Sequence, residues 1–219
     1  MSEQAIDHFR EHFASLPLIA ILRGITPDEV VAVGRGLFDV GFRVIEIPLN
    51  SPEPLESLAR LAAELGRDAT IGCGTVLTPG QVAAVAAAGG RIVVSPNADA
   101  DVIKATVSAG LVSAPGVATP GEGFAAVAAG ANLLKLFPAE QLPPRVIKSW
   151  RAVFPNTLPL VPVGGISPES LSGYLAAGAD GFGLGSALYA AGRDPRETAR
   201  RGEAFVEAWR SVRQTTRSG

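Results

Sequence analysis

Two ionisable residues lie inside apolar stretches of the sequence, where a charged side chain is costly to bury. Glu46 stands in the run RVIEIP, and Lys135 stands in the run NLLKLF. An amine whose pKa is lowered by apolar neighbours can attack a ketone and form an imine. The resulting iminium draws electrons from an adjacent carbon–carbon bond, and a carboxyl group beside it can donate and accept protons. These residue types therefore indicate covalent chemistry on a carbonyl compound.

The same two residues are compatible with three further roles at the level of sequence. Glu46 and Lys135 could form a structural ion pair, although such a pair is expensive to desolvate and often no more stable than a hydrophobic replacement. They could also serve an isomerase or epimerase, with Glu46 as the base and Lys135 as its electrostatic partner. A sugar-phosphate binding protein without catalytic activity is a third alternative.

Two glycine-containing segments could bind a phosphate group. The segment VGGIS contains Gly164 and Gly165, and the segment GLGS contains Gly185 and Ser186. Glycines let backbone N–H groups approach a phosphate, and the Ser186 hydroxyl can add a donor. Arg23 follows a separate apolar run, where its guanidinium could hold a carboxylate.

Eight short apolar runs must position these residues, and they recur about every 20 to 27 residues. Each leads into Gly, Pro, Ser or Thr and then into an Ala/Leu-rich helical stretch. Strand followed by helix, eight times, predicts a parallel sheet with helical crossovers. The runs occupy residues 18–22, 43–47, 69–73, 91–94, 111–114, 132–136, 159–163 and 181–184.

The expected fold class is α/β, specifically a (β/α)8 TIM barrel over residues 17–219 with an extra N-terminal helix over residues 1–16. An open doubly wound sheet is the rival, but the segment RGIT after the first run is not a dinucleotide-binding loop. In a barrel, strands two and six lie on opposite walls. Alternation then directs Glu46 and Lys135 inward in one layer, and Thr75 and Pro96 line the same mouth.

Composition narrows the possible partners. The chain has 219 residues, with 19 Lys plus Arg against 21 Asp plus Glu, for a formal charge of −2. We therefore expect no nucleic-acid partner and no membrane association. The sequence shows no apolar stretch of signal-peptide length, and its single cysteine, Cys73, favours a reducing compartment, so we expect a cytoplasmic protein. With only two histidines, we expect no catalytic metal and no cofactor.

The ordered motifs resemble those of a known family, the bacterial 2-keto-3-deoxy-6-phosphogluconate/6-phosphogalactonate aldolases, which are lysine-dependent enzymes of the (β/α)8 class. The resemblance extends from about residue 16 to residue 192, and so many motifs at the correct spacing are highly specific. The matching segments are ILRGI (21–25), EIPLNSP (46–52), GCGTVL (72–77), SPN (95–97), LKLFPA (134–139), VGGI (163–166) and GLGS (183–186).

The resemblance implies a role for each candidate residue. Lys135 would form the imine, and Glu46 would shuttle protons. The phosphate would bind at Gly164, Gly165, Gly185 and Ser186, and the pocket would be lined by Thr75, Pro96 and Phe137. The family is commonly trimeric, so the resemblance also implies a homotrimer.

Two features look like the galactonate branch of the family. Residues 48–51 read PLNS, where the gluconate branch usually has TLRT after its strand-two Glu and the following residue, and Arg23 follows strand one. Asn50 thus replaces a carboxylate-binding arginine, and that role would pass to Arg23. The branch implies cleavage of 2-dehydro-3-deoxy-6-phospho-D-galactonate to pyruvate and D-glyceraldehyde 3-phosphate. Action on the gluconate epimer, or on both, stays open, because no physical argument from the sequence fixes the stereochemistry at C4.

Overall fold

The structure, a computed structural model, describes residues 2–217, with side chains for residues 5–214. The strands within that range are β1 Leu18–Ile21, β2 Val44–Pro48, β3 Thr70–Gly74, β4 Ile92–Val94, β5 Val112–Ala114, β6 Gly116–Val117, β7 Leu134–Leu136, β8 Leu160–Pro162 and β9 Phe182–Leu184. The helices are α1 Ser2–Ser15, α2 Val30–Asp39, α3 Pro54–Leu65, α4 Pro79–Ala87, α5 Ala100–Ser108, α6 Pro120–Ala129, α7 Pro144–Arg151, α8 Leu171–Ala176 and α9 Pro195–Arg217. Short 3-10 helices occupy Ala139–Gln141 and Pro168–Ser170. None of the helices in this part of the chain is long and apolar enough to cross a membrane.

The strands form two parallel sheets. The larger is a curled sheet of six strands in the order β5-β4-β3-β2-β1-β9, and the smaller has the order β6-β7-β8. Each of the eight predicted runs contains a strand, so the α/β class and the parallel arrangement are confirmed. The short strand β6 was not predicted. It follows β5 after Pro115, a residue that has no N–H to continue the ladder.

Apolar side chains fill both faces of the curled sheet. Ile45 and Ile47 of β2 belong to the cluster between strands and helices, whereas Val44 belongs to the cluster inside the curl. The same alternation holds around β7, where Leu134 packs outward and Leu133 packs inward. A strand buried on both faces reads as a continuous apolar run, which explains the pattern in the sequence.

Helix α1 packs against the amino ends of the strands. Phe9 and Phe13 are buried in the inner cluster with their ring centroids 5.2 Å apart. Nδ1 of His12 lies 2.9 Å from Oγ1 of Thr70, the first residue of β3. The guanidinium of Arg91 donates a 3.0 Å hydrogen bond to Nδ1 of His8, because an arginine cannot accept one. The amphipathic pattern of α1 thus serves to cover the interior of the sheet.

The position of His12 predicts a pH dependence of stability. Burial and the neighbouring His8 lower the pKa of His12, as do the charges of Arg43 and Arg91, while Glu11 acts in the opposite direction. The unfolded chain therefore binds more protons than the folded chain as the pH falls below about 6.5, and stability declines there. We expect His12→Gln, measured by denaturant unfolding above and below this pH, to lose less stability on acidification than the wild type. An identical pH dependence in the two proteins would contradict this assignment.

Candidate active site

Glu46 and Lys135 occupy the centres of β2 and β7 and point into the interior of the fold. Both are buried, with 2 % and 7 % of their surfaces exposed. They line one narrow space whose other walls are mostly aliphatic, including Leu133 and Val161. Among the described side chains, no nitrogen–oxygen contact within 4.0 Å joins the two. The structure therefore brings the amine and the carboxylate together without forming the direct ion pair of the structural alternative.

Burial shifts both titrations towards neutrality. It raises the pKa of Glu46 to about 7, against the opposing influence of the charges of Lys135 and Arg23 and of the Gly74 backbone N–H. Burial also lowers the pKa of Lys135; the charge of Arg23 adds to this, and Glu46 opposes it. Near neutral pH the site can thus supply both a protonated acid and its conjugate base, and the neutral form of the amine is more accessible than in an exposed lysine.

Two neighbours define the surroundings of these groups. Nζ of Lys135 lies 4.6 Å from the ring centroid of Phe137, two residues further along the chain. The carboxylate of Glu46 lies against the α-carbon of Gly74, so closely that a Cβ at this position would overlap both oxygens. Oε2 of Glu46 is buried and has no hydrogen-bond partner within the described residues, which leaves an acceptor facing the interior. A glycine at position 74 is therefore required for the present orientation of the acid.

A larger cavity of about 590 Å³ adjoins Lys135. Among the predicted site residues, its lining contains Arg23, Lys135, Phe137, Gly164, Gly165, Gly185 and Ser186. Gly164 and Gly165 both adopt positive φ angles, of 111° and 62°. A Cβ built at Gly185 would meet no atom within 4 Å, so the space beside this loop is open. The structure thus gathers the two glycine loops, Arg23 and the amine around one cavity.

Arg23 is held by the loop that follows β2. Its guanidinium donates a 2.6 Å hydrogen bond to Oδ1 of Asn50, and the backbone N–H of Gly24 donates to Oγ of Ser51 at 2.9 Å. Arg23 affects the pKa values of both Glu46 and Lys135, so its positive charge lies near the amine. The segment PLNS (48–51), one of the features that resemble the galactonate branch, therefore helps to position the guanidinium of Arg23 at the larger cavity.

Thr75 and Pro96 stand apart from the cavity lining. Thr75 directly follows Gly74, is half-buried and adopts a left-handed φ of 57°, while Pro96 is half-buried beside Gly116. Both follow strands of the larger sheet, on the side of Glu46. Neither residue is among those that line the larger cavity.

Sequence reasoning missed two titratable residues that line the cavity, Glu140 and Tyr189. Glu140 is the first charged residue after the run that contains Lys135. Its position just after the carboxyl end of a strand could have indicated a residue of the site. Tyr189 is buried and follows the GLGS segment by three residues, in a stretch without a recognisable motif.

The parallel α/β fold and the comparison with known sequences define the protein as an aldolase, a carbon–carbon lyase. In particular, the chain belongs to the KDPG and KHG aldolase family, whose model matches residues 9–198.

Individual relatives support the membership of the chain in this family. The chain is 46 % identical over 199 residues to the 2-dehydro-3-deoxy-6-phosphogalactonate aldolase of Escherichia coli K12, covering 91 % of this chain and 97 % of the relative. A solved structure described as "Native KDPGal structure" has a TM-score of 0.90 and 46 % identity, with the same two coverages. A KDPG aldolase from Legionella pneumophila, solved with pyruvate captured as a covalent carbinolamine, is 28 % identical, with a TM-score of 0.74 over 91 % of this chain and 95 % of that one.

The electrostatic coupling between the acid and the amine is open to direct measurement. We expect the carboxyl of Glu46, followed by carbon-13 NMR, to titrate with a pKa of about 7. In Lys135→Met the pKa should rise further, since the variant removes a charge that favours the carboxylate. Lys104→Met, which changes an exposed lysine on α5, serves as the control and should leave the titration unchanged. A pKa of Glu46 near that of an exposed glutamate would contradict its burial.

Proposed function

We propose that the protein cleaves 2-dehydro-3-deoxy-6-phospho-D-galactonate to pyruvate and D-glyceraldehyde 3-phosphate through an imine on Lys135. The observation that carries this proposal is the buried amine with its lowered pKa, which shares an apolar space with Glu46. The name of the Escherichia coli relative supports the substrate, and the covalent pyruvate in the Legionella enzyme supports the chemistry.

The reaction begins at the C2 ketone. The neutral amine of Lys135 adds to this carbon, and loss of water from the resulting carbinolamine gives an iminium. The protonated form of Glu46 supplies the proton that lets the hydroxide leave as water, which yields the carboxylate. A pKa of about 7 allows Glu46 to carry out both halves of this exchange at neutral pH.

Cleavage of the C3–C4 bond uses Glu46 as a base and the iminium on Lys135 as the electron acceptor. Glu46, acting through a water molecule, accepts the proton of the C4 hydroxyl, the C3–C4 bond breaks, and its electron pair moves into the iminium to form an enamine. D-Glyceraldehyde 3-phosphate departs. Glu46, protonated by the preceding step, returns its proton to C3 of the enamine and becomes a carboxylate again. Addition of water to the new iminium then releases pyruvate and the free amine of Lys135.

Substrate binding follows from the arrangement of charge. The carboxylate of the substrate is bonded to the carbon that Lys135 attacks, so it must lie beside the amine, where Arg23 supplies a cation. The phosphate is at the other end of the substrate and would bind to Gly164, Gly165, Gly185 and Ser186 in the open part of the cavity. Phe137 lines this cavity, and we assign Thr75 and Pro96 to the mouth on the side of Glu46.

We also propose that the two sheets form one closed (β/α)8 barrel. The N–H of Asn132 donates to the carbonyl of Ser113, and the N–H of Lys135 donates to the carbonyl of Pro115, each at 3.0 Å. These bonds support a continuous wall from β5 through β6 to β7. A parallel bridge between Val163 and Gly183 supports closure on the other side, between β8 and β9.

A homotrimer in the cytoplasm completes the proposal. The trimer comes from the family resemblance, and exposed apolar side chains near one another in sequence on α6, Phe124 and Val127, are suited to burial between subunits. The cytoplasmic location agrees with a phosphorylated substrate, which does not cross membranes freely, and with a single buried cysteine.

Trapping the imine tests the mechanism. Incubation with pyruvate and borohydride should attach one reduced pyruvate to Lys135, as peptide mass spectrometry would show. Lys135→Ala should abolish the label and lower turnover by several orders of magnitude, because the nucleophile is lost. Lys104→Ala and Lys148→Ala, at exposed positions, are matched controls that should label normally. An unlabelled wild type, or near-normal turnover in Lys135→Ala, would refute the mechanism, and an isomerase would also remain unlabelled.

The stereochemistry at C4 has its own test. We expect a higher kcat/KM for the galactonate substrate than for its gluconate epimer, because Arg23 and the segment PLNS resemble the galactonate branch and the Escherichia coli relative is named for that substrate. The assay follows pyruvate release from each epimer under the same conditions. Equal values would indicate dual specificity, a higher value for the gluconate would reverse the preference, and no pyruvate from either would indicate a protein that only binds.

A further inference from the structure

Glu140 is a carboxylate on the cavity wall that the proposed reaction does not use. It lies in the 3-10 helix Ala139–Gln141, directly after the strand that carries Lys135. Its side chain lies against the first glycine loop: a Cβ at Gly165 would be 2.9 Å from Cγ and 3.1 Å from Oε1, and one at Gly164 would overlap Oε2. A negative charge therefore occupies the position next to the loop at which the phosphate is expected to bind.

No interaction fixes this carboxylate in place. Glu140 is exposed, and within the described part of the chain neither a hydrogen bond nor an ion pair of 4.0 Å or less engages its oxygens. The cations that line the same cavity, Arg23 and Lys135, are assigned to the other end of the substrate. No hydrogen bond or ion pair has to break when Glu140 changes rotamer, but turning away gives up its contact with the glycine loop, and no described neighbour neutralises its charge where it stands.

We propose that Glu140 weakens the affinity of the glycine loops for phosphate, because its carboxylate must either face the phosphate or leave its contact with the loop when the phosphate binds. This inference rests on the proposed function, since it concerns the phosphate subsite of the same cavity. Two like charges a few ångströms apart repel, and the repulsion doubles when one of them is a dianion. The phosphate belongs to the aldehyde fragment, whereas the pyruvate fragment stays bonded to Lys135. Repulsion by Glu140 therefore favours release of the first product.

Removing only the charge tests this role. Glu140→Gln keeps the size of the side chain, and we expect it to lower the inhibition constant for inorganic phosphate and the KM for the phosphorylated substrate by about three- to tenfold. Added salt should reduce the difference, because the carboxylate is exposed to solvent. Labelling of Lys135 by pyruvate and borohydride should be unchanged, since pyruvate carries no phosphate.

Glu203→Gln is the matched control. It removes the same charge from an exposed position on α9, outside the cavity, and should leave both constants unchanged. Equal inhibition by phosphate in the wild type and Glu140→Gln, or weaker inhibition in the variant, would overturn the inference. If phosphate inhibited neither protein while pyruvate still labelled Lys135, the phosphate subsite and the role of Glu140 would both be wrong, but the lysine mechanism would stand. An unlabelled wild type would instead reject the proposed function itself.

Discussion

The candidate active site depends on one arrangement: an acid and an amine are buried in the same apolar interior and form no direct ion pair. Each ion loses several kcal/mol of hydration on burial, and a short ion pair would recover part of that loss by fixing both charges. Here Glu46 and Lys135 are buried but not in direct contact, so burial moves both pKa values towards neutrality. In the proposed mechanism, the burial that makes these groups costly to fold also gives them the protonation behaviour that imine chemistry needs.

The side chains around this pair are mostly apolar. Aliphatic residues such as Leu133 and Val161 line the space and offer no polar side-chain atom to either charge. Gly74 lets the carboxylate rest against the backbone of the neighbouring strand, and α1 covers the amino ends of the strands with Phe9 and Phe13. The apolar residues of α1 and the strands thus close one side of the interior, and Lys135 adjoins the larger cavity on the other.

Much of the fold was predictable because parallel strands buried on both faces appear in the sequence as short continuous apolar runs. The period-two alternation of β2 predicted that Ile45 and Ile47 lie on the outer face and that Glu46 points inward, as the structure confirms. The short strand β6 escaped prediction because two residues after a proline carry no periodicity. The positions of Thr75 and Pro96 relative to the cavity, and the approach of Glu140 to the glycine loop, depend on loop geometry. Local sequence patterns do not specify that geometry.

Lys135 lies between two different environments, the narrow apolar space that it shares with Glu46 and the larger cavity lined by Arg23 and the glycine loops. The narrow space holds the acid among apolar walls, where a neutral amine and a protonated carboxyl are favoured. The larger cavity carries the exposed cation of Arg23 and the glycine loops, where charged groups of a substrate remain partly hydrated. In the proposed mechanism, bond formation uses the first environment, and binding and release of anions use the second. Because Lys135 lines both spaces, the substrate would react at one end while its phosphate stays in the larger cavity.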